Sequence, residues 1–314
     1  MTQNYIGVDL SADHLDICDP LRGARRIANT SPAIRRFLAG LGGADFVVFE
    51  ATSGCDGPLL AEAERAGIAH TRLNPARAWH FARSLGLAKT DRVDAAMLAR
   101  FGAERRPEAD AVRDAARVEL ALLTRRRDQL KRMQVQEKNR RADDLPSAVR
   151  GDIDAVLRVF ARHVARIEKA IAALLRAHPH LDAQARLLRS IPGIGPVAAS
   201  ALLAHLPELG TCDRRAIASL AGLAPKARDS GKFGGKFRGK RFVGDGRRQV
   251  RKALYMAALY AMRQPELFEA MAQRMRAVHK PGKVIVIAIA RKLVTIANAV
   301  IRDQRPFEHP EKTT

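Results

Sequence analysis

The chain is poor in cysteine, and the spacing of its three cysteines indicates no disulfide framework. Cys18, Cys55 and Cys212 are odd in number and far apart, and no two of them make a Cys-x-x-Cys pair. A disulfide scaffold and a zinc ribbon are therefore both excluded as interpretations. Thiols of this kind are typical of a reducing compartment, which predicts a cytoplasmic protein.

Long uninterrupted apolar runs are also lacking. The long apolar stretch at 284–301 is broken by Arg291 and Lys292. We therefore predict a packed amphipathic helix there rather than a membrane span. The first residues pass directly into a strand pattern without the charged and apolar regions of a signal segment. No membrane partner is expected.

Acidic residues are scarce relative to basic ones. The 314 residues include 55 Lys and Arg but 33 Asp and Glu, which gives a formal net charge of +22. A surplus of this size predicts a polyanionic partner, because neutralised phosphates release counterions and so favour binding. Hydrophobic residues make up 47% of the chain, which is enough for two or more folded domains.

The first part of the chain alternates between strand and helix signals. We predict strands at 4–10, 14–18 and 25–27, a helix at 31–41 with Ser31 as its N-cap, a strand at 45–51, a helix at 58–66 and a strand at 68–73. Three early strands followed by alternating helix and strand are the order of a ribonuclease-H-like α/β domain. A further helix is predicted to begin at Lys89-Thr90-Asp91.

Four carboxylates occupy positions in this domain where metal-dependent chemistry would need them. Asp9 lies inside an apolar run and Glu50 closes another, and a carboxylate in a strand pattern is costly to bury without a cation or hydrogen-bond partner. Asp91 and Asp94 are spaced i and i+3, so they share one face of a first helical turn. Metal-dependent phosphodiester chemistry is the leading hypothesis, although Asp91 alone would more often be a helix-start charge. Three further aspartates near the same strand ends are interpreted as solvated or turn residues: Asp13, Asp16 and Asp56.

Beyond this domain the sequence is almost free of strand signals. Residues 117–177 carry apolar residues at helical spacing and predict two long antiparallel helices. This hairpin is either an exposed coiled coil or a support for oligomerisation or nucleic-acid binding. A Gly-Ile-Gly turn at 193–195 is either a plain turn or a phosphate contact like that of a helix-hairpin-helix. We predict three parts: residues 1–110, 111–182 and 183–314.

The basic surplus is concentrated between residues 226 and 252. Eleven Lys and Arg stand here against two Asp, and six glycines predict a loop that permits close approach to a sugar-phosphate backbone. Phe233, Phe237 and Phe242 would stack on bases or anchor the loop, and a solvated loop is the alternative. Ser230 could be a nucleophile, although most serines in such loops only form hydrogen bonds. Besides Lys89, the residues predicted to bind nucleic acid are Lys226, Arg228, Lys232, Lys236, Arg238, Lys240, Arg241, Arg247 and Arg248.

Six motifs follow one another along the chain. They are Ile6-Gly7-Val8-Asp9, Phe49-Glu50-Ala51-Thr52-Ser53-Gly54, Lys89-Thr90-Asp91-Arg92-Val93-Asp94-Ala95, Ile191-Pro192-Gly193-Ile194-Gly195, Ala221-Gly222-Leu223-Ala224-Pro225 with Ser230-Gly231, and Arg251-Lys252-Ala253-Leu254-Tyr255. In this order they resemble the motifs of the DEDD-type transposases of the insertion-sequence family IS-one-ten, relatives of the Piv DNA invertase. The resemblance extends from residue 4 to about residue 300.

The resemblance implies a RuvC-like N-terminal domain, a coiled-coil middle and a mostly helical C-terminal transposase domain. It implies that Asp9, Glu50, Asp91 and Asp94 bind Mg²⁺, and that Ser230 attacks a DNA phosphate and forms a transient phosphoserine link. The site would be completed by another subunit. Double-stranded DNA, a noncoding bridge RNA and further copies of the chain, in a dimer or tetramer, would be the partners. The stretch between Ser230 and the following arginine-rich helix is longer than the family leads us to expect.

Two other functions stay open on the residues alone. A RuvC-like junction-resolving nuclease would cleave DNA with water, and Ser230 would then be dispensable. A non-catalytic DNA- or RNA-binding protein would use the basic segment, and all four acids would then be structural.

Overall fold

The structure, a computed structural model, describes residues 3–52, 54–85, 91–142, 144–227, 241–263 and 267–308, with backbone alone at 91–93 and 241. The chain divides into two compact units, Met1–Arg113 (unit 1) and Asp114–Thr314 (unit 2). In the described residues, unit 1 is mixed α/β and unit 2 is almost entirely helical.

Unit 1 is built around a five-stranded sheet. Its elements are β1 (Asn4–Leu10), β2 (His14–Asp19), β3 (Gly23–Ala28), α1 (Ser31–Ala39), β4 (Asp45–Glu50), α2 (Gly57–Ala66), β5 (Ala69–Leu73), α3 (Pro75–Ser84) and α4 (Asp91–Arg105). The sheet order is β3-β2-β1-β4-β5. The first three strands are antiparallel neighbours, whereas β4 is parallel to both β1 and β5. The predicted strands are therefore confirmed.

The structure differs from the predicted helices of unit 1 at two points. Helix α3 at 75–84 is not among the predicted elements. Asn74 is its N-cap residue, whose side chain accepts a hydrogen bond from the Ala76 amide at 2.8 Å, and Pro75 takes the first helical position. In α1, Thr30 rather than Ser31 is the N-cap residue, and its side chain makes no capping hydrogen bond.

Helices cover both faces of the sheet. Side chains alternate along β1, so Ile6 and Val8 pack with α1 and α2, whereas Tyr5 packs with α3 and α4. The same alternation places Val47 and Phe49 of β4 on the first face and Phe46 and Val48 on the second. Two buried faces explain why both central strands are continuous apolar runs.

A polar network fixes the edge of the sheet at which β1 and β4 begin. The Asn4 amide donates to Asp19 at 3.1 Å and to Asp45 at 2.7 Å. The Arg22 guanidinium donates to both carboxylates at 2.9–3.0 Å. Its hydrogen bonds lower the pKa of Asp45 to about 2. This network holds three strands together at the edge opposite to that of Asp9 and Glu50.

The low pKa of Asp45 predicts that unit 1 loses stability in acid. A carboxyl whose pKa falls from 3.8 to about 2 on folding stabilises the fold above about pH 4, and this contribution is lost as the pH falls towards 2. Trp79, the single tryptophan, reports on this unit. We expect the urea concentration at half-unfolding, followed by the fluorescence of Trp79, to fall as the pH is lowered from about 5 to about 2. This fall should be smaller in Asp45→Asn.

The control for this measurement is Asp13→Asn, since Asp13 is exposed in the turn after β1. This variant should keep the pH dependence of the natural sequence. An Asp45→Asn variant that loses stability just as steeply in acid would contradict the assignment.

Unit 2 opens with the two long helices that the sequence predicts. Ion pairs join Arg127 to Glu168 at 2.7 Å and Arg141 to Asp154 at 2.5 Å, so the two helices are antiparallel. The elements of this unit are α5 (Ala115–Arg140), α6 (Ser147–Ala177), α7 (Pro179–Arg189), α8 (Pro196–His205), α9 (Arg214–Leu220), β6 (Lys226–Ala227), β7 (Arg241–Phe242), α10 (Arg248–Ala261), α11 (Glu269–Ala277) and α12 (Gly282–Asp303).

Helix α12 is the core helix of unit 2. In the described part of the chain it is the one helix long and apolar enough to cross a membrane by length and composition, yet 56% of its most apolar window is buried inside the protein. Ile289, Leu293 and Val294 have no exposed surface and belong to the main core of the unit. The prediction of a packed helix is confirmed.

Candidate active site

Asp9 and Glu50 lie at the C-terminal ends of two neighbouring parallel strands, Asp9 next to last in β1 and Glu50 last in β4. The last paired residues of β1 and β4 are Val8 and Phe49, so the two carboxylates come next on adjacent strands. Such strands lie about 4.8 Å apart. Asp9 is four residues from Tyr5 in β1, and Glu50 is two residues from Val48 in β4, so each carboxylate shares a face of the sheet with that residue. Both side chains are half-buried and belong to the sheet face that α3 and α4 cover.

Helix α4 brings its first turn over this edge of the sheet. A Cβ at Gly7 would lie 1.9 Å from the Ala95 carbonyl oxygen, and a Cβ at Gly102 would lie 2.6 Å from the Tyr5 ring. The helix therefore runs antiparallel to β1. From the contact between Gly7 and Ala95, Asp9 lies two residues further along β1, about 6.7 Å, and Asp91 lies four residues back along α4, about 6 Å. Asp9 is therefore level with the start of α4. The turn that contains Asp91 and Asp94 lies there.

The four predicted tetrad residues thus come from three elements at one sheet edge. Asp9, Glu50 and Asp94 are half-buried, and each takes part in a polar or electrostatic interaction. For Asp91 the described atoms are those of the backbone. Among the described side chains, no three of the types His, Cys, Asp and Glu are grouped closely enough to hold a metal ion.

Asp16 and Arg26 adjoin this site and are missed as functional candidates by sequence reasoning. Asp16 pairs with Asp9 in the β1–β2 register, so the two share a face of the sheet. It is buried, and Arg26 donates to both of its oxygens at 2.7 and 2.8 Å. Both residues line a cavity of about 470 Å³ beside Ala95 of α4. The interpretation of Asp16 as solvated is therefore wrong, because Arg26 of β3 neutralises it.

Asp56 is also buried, so of its two interpretations the solvated one is wrong, whereas its place in the turn before α2 agrees with the other. It precedes α2, and the Arg72 guanidinium of β5 donates to its carboxylate at 2.5 Å. Asp13 is exposed in the turn between β1 and β2, as predicted. Burial of an aspartate near these strand ends is thus decided by whether a neighbouring strand supplies an arginine.

The described ends of the basic segment are structured. Lys226 of β6 donates to Asp245 at 2.9 Å, and Arg247 is paired with the half-buried Glu208. Burial raises the pKa of Glu208, but the hydrogen bonds and charge of Arg247, together with a backbone hydrogen bond, lower it further, so the pKa lies below its usual range. Two of the predicted nucleic-acid ligands therefore already have carboxylate partners.

The arginine-rich helix expected after the glycine-rich stretch is present as α10, which begins at Arg248 and includes Arg251 and Lys252. Arg248 is exposed, and for Arg241 the described atoms are those of the backbone. The other predicted site residues of this region lie outside the described residues, as does Lys89: Arg228, Ser230, Lys232, Lys236, Arg238 and Lys240.

The Gly-Ile-Gly turn has a structural reason within unit 2. Gly193 has φ +94°, and a Cβ there would lie 2.7 Å from the Ala261 Cβ and 2.8 Å from the Ala257 carbonyl oxygen. Glycine is needed for this backbone conformation and for the close approach of α10. Of the two interpretations left open, the plain turn explains Gly193.

Comparison with known families defines the class of protein. Residues 6–147 match the model of a DEDD-type transposase, and residues 185–273 match that of the transposase IS116/IS110/IS902 family. The two matches follow one another along the chain and include Asp9, Glu50, Asp91 and Asp94 in the first and Ser230 in the second. Proteins of this class cleave and rejoin DNA.

Individual relatives agree with this class. The pilin gene-inverting protein of Moraxella bovis is 30% identical over 98% of this chain and 98% of its own length. The pilin gene-inverting protein of Moraxella lacunata is 34% identical over 75% of this chain and 73% of its own. A 44.8 kDa protein of insertion element IS116 from Streptomyces clavuligerus is 34% identical over 40% of this chain and 31% of its own. The chain belongs to the IS110 family of transposases and DNA invertases.

Proposed function

We propose that the chain is a transposase or site-specific recombinase whose unit 1 is a RuvC-like catalytic domain. The observation that carries this proposal is the position of Asp9 and Glu50 at the ends of adjacent parallel strands, level with the first turn of α4. The sheet order β3-β2-β1-β4-β5, with three antiparallel strands followed by parallel ones, supports the RuvC-like assignment. The division into three domains at residues 110 and 182 remains part of the proposal.

The tetrad suits a hard divalent cation such as Mg²⁺. Asp9, Glu50, Asp91 and Asp94 offer carboxylate oxygens and no sulfur or nitrogen, which is the donor set that Mg²⁺ prefers. When bound, the ion would neutralise a phosphate and stabilise the charge that develops in the transition state. Arg26 would limit the mutual repulsion of the nearby acids, because it neutralises Asp16 directly across from Asp9.

Ser230 is the proposed nucleophile. Its Oγ would form a bond to phosphorus while the bond from phosphorus to a sugar oxygen breaks, and that oxygen would leave as a hydroxyl. The number of phosphate ester bonds stays constant in this exchange, so rejoining needs no ATP. The positive charge of the segment around Ser230 supports DNA binding there.

The same family membership leads us to propose a noncoding bridge RNA and a dimer or tetramer as the working assembly. The antiparallel hairpin of α5 and α6 supports an oligomeric role. Its exposed apolar residues include Leu122, Met133 and Val135, at 43–59% exposure.

The test compares Asp9→Asn, Ser230→Ala, Asp13→Asn and Ser219→Ala on DNA that carries the element ends, with the element's RNA present. Asp13 and Ser219 are exposed residues outside the proposed site and serve as matched controls. We expect strand cleavage to be lost in the first two variants and kept in the controls. A protein–DNA adduct that survives denaturation should form with the natural chain and be absent in Ser230→Ala.

The alternatives give different results. Cleavage that survives Ser230→Ala but not Asp9→Asn would identify a nuclease that uses water and would overturn the serine mechanism. Cleavage that survives both would overturn the catalytic proposal and leave a nucleic-acid-binding protein.

A further inference from the structure

Unit 2 contains a cavity of about 750 Å³ that the proposed chemistry does not use. We call it the cationic cavity. Pocket volumes of about 300–1,000 Å³ are typical of sites for small molecules and cofactors. We call its apolar lining, which includes Val284 and Ile287 of α12, the floor, and its cationic lining, which includes Arg214 and Arg215 of α9 and Lys292 of α12, the rim.

No ion pair among the described residues balances the positive charge of the cavity, although the Asp213 carboxylate interacts with Arg215 through its charge. Five of its lining residues are Lys or Arg and none is Asp or Glu. Within the described part of the chain, no ion pair joins any of these five to a carboxylate, in contrast to Lys226 and Arg247 nearby. Cations grouped around a concave apolar surface focus the positive potential on whatever enters. The rim therefore suits phosphate groups.

The floor is apolar and accessible. Val284 is 45% exposed, although it lies on the same helix as the fully buried core residues Ile289 and Leu293. Ile287 and Thr295 follow at helical spacing on the same side of α12 and are half-buried. An apolar surface of this kind receives the flat face of a base that has left its stack. Phosphate on the rim and a base on the floor are the two halves of one nucleotide.

The cavity adjoins the two short strands that flank the Ser230 segment in the sequence. Its lining includes Pro225, just before β6, and Phe242, the last residue of β7. These two short strands pair with each other and bracket the segment that carries Ser230, which follows Ala227 by three residues.

We propose that the cationic cavity binds one nucleotide of a DNA strand, with its base unstacked on Val284 and Ile287 and its phosphates on Arg214, Arg215 and Lys292. This inference rests on the proposed function for its choice of DNA. It adds a nucleotide-binding subsite beside the two short strands that flank the proposed nucleophile in the sequence.

The test measures binding of two eight-residue oligonucleotides to the full chain, without cleavage. One is oligothymidylate and the other has the same phosphates but abasic sugars. We expect the natural chain to bind the thymidylate about 5- to 100-fold more tightly, since stacking of a single base has that effect. Val284→Asp should reduce this ratio by about tenfold. Val149→Asp is the matched control, because Val149 has the same 45% exposure on α6.

A charge variant tests the rim. The triple variant Arg214→Gln, Arg215→Gln and Lys292→Gln should weaken binding of both oligonucleotides and lower the slope of log affinity against log salt by about 2, at about 0.7 per phosphate contact. A control triple variant removes three exposed cations of α6 that have no carboxylate partner within the described residues: Arg162→Gln, Lys169→Gln and Arg176→Gln. This control should change the slope of log affinity against log salt less than the rim variant does.

Several outcomes would overturn the inference. Equal binding of thymidylate and the abasic strand, or equal effects of Val284→Asp and Val149→Asp, would exclude a base on the floor. Tighter binding of oligouridylate than of thymidylate, abolished by Val284→Asp, would assign the cavity to RNA. The measurement needs neither metal nor Ser230, so it can fail while the cleavage tests succeed, and the reverse also holds.

Discussion

Asp94→Asn is expected to lower the rate of strand cleavage by about 10²- to 10³-fold. The substitution removes one negative charge from the first turn of α4, level with Asp9. If that carboxylate helps to hold a divalent ion at the phosphate, its loss removes several kcal/mol of transition-state stabilisation, and each ~1.4 kcal/mol is a factor of ten in rate. The amide keeps the shape of the side chain, so the loss would reflect charge.

The same substitution should change the stability of the fold much less than it changes cleavage. A negative charge in the first turn of a helix contributes about 0.3–1 kcal/mol through the helix dipole, and a further polar or electrostatic interaction of the side chain adds about 1 kcal/mol. We therefore expect the free energy of unfolding of unit 1, measured by urea titration of Trp79 fluorescence, to fall by less than ~2 kcal/mol. A large effect on cleavage with a small effect on unfolding distinguishes a functional acid from a structural one.

Asp13→Asn removes the same charge from an exposed turn of the same unit. It should retain both cleavage and stability, so net charge alone cannot explain the result for Asp94. If Asp94→Asn cleaves DNA as fast as this control does, Asp94 does not belong to the catalytic set.

The strands and the carboxylates of unit 1 could be predicted because their signals are local. Two apolar runs with a carboxylate near or at the end predict buried strands with acids at one edge, and the structure has β1 and β4 as adjacent parallel strands. The start of α3 also had a local signal in Asn74 and Pro75, but these residues fit a turn equally well. Ala78 and Phe81 are the buried residues of that helix, which leaves little apolar periodicity to recognise.

The arginine partners of Asp16 and Asp56 were not recognised from the sequence. Each is neutralised by an arginine on a neighbouring strand, Arg26 or Arg72, and the pairing depends on strand register. For Asp16 a signal did exist, because the tight turn at 11–13 sets the register that places residue 16 opposite residue 9. The partner of Asp56 is 16 residues away on a parallel edge strand, beyond the reach of a hairpin rule.

The cationic cavity had no sequence signal at all. Its rim joins α9 to α12, whose cations are about 80 residues apart in the sequence. The sequence analysis used two of its cations, Arg291 and Lys292, only as evidence against a membrane span. Conversely, Arg247 is a free phosphate ligand by its sequence context, but in the structure it is paired with Glu208. Tertiary pairing, more than local charge density, decides which cations can reach a nucleic acid.

Gly7→Ala is expected to destabilise unit 1 by about 3 kcal/mol and to lower cleavage by about a hundredfold. The added Cβ would lie 1.9 Å from the Ala95 carbonyl oxygen and 2.5 Å from the Ala99 amide nitrogen. Both are backbone atoms of α4, so no change of side-chain rotamer relieves the contact and the helix must move away from β1. Overpacking of a close-packed core typically costs about 1–3 kcal/mol.

The effect on cleavage follows from the same displacement. Asp94 immediately precedes Ala95, so a shift of α4 changes the separation between Asp94 and Asp9. A misplacement of about 1 Å in a catalytic site lowers rates by about 10²-fold. Gly57→Ala is the matched control, because Gly57 begins α2 in the same unit and a Cβ there would meet no atom within 4 Å. Gly57→Ala should change neither the free energy of unfolding nor the rate of cleavage measurably.

Cleavage and urea unfolding should be measured on both glycine variants at a temperature where Gly7→Ala is still folded. Under those conditions an unfolded fraction cannot account for the lost activity, and the position of α4 is the remaining variable. Full cleavage by a folded but destabilised Gly7→Ala would mean that the first turn of α4 does not belong to the reacting site. The tetrad would then reduce to the two strand-end carboxylates, Asp9 and Glu50.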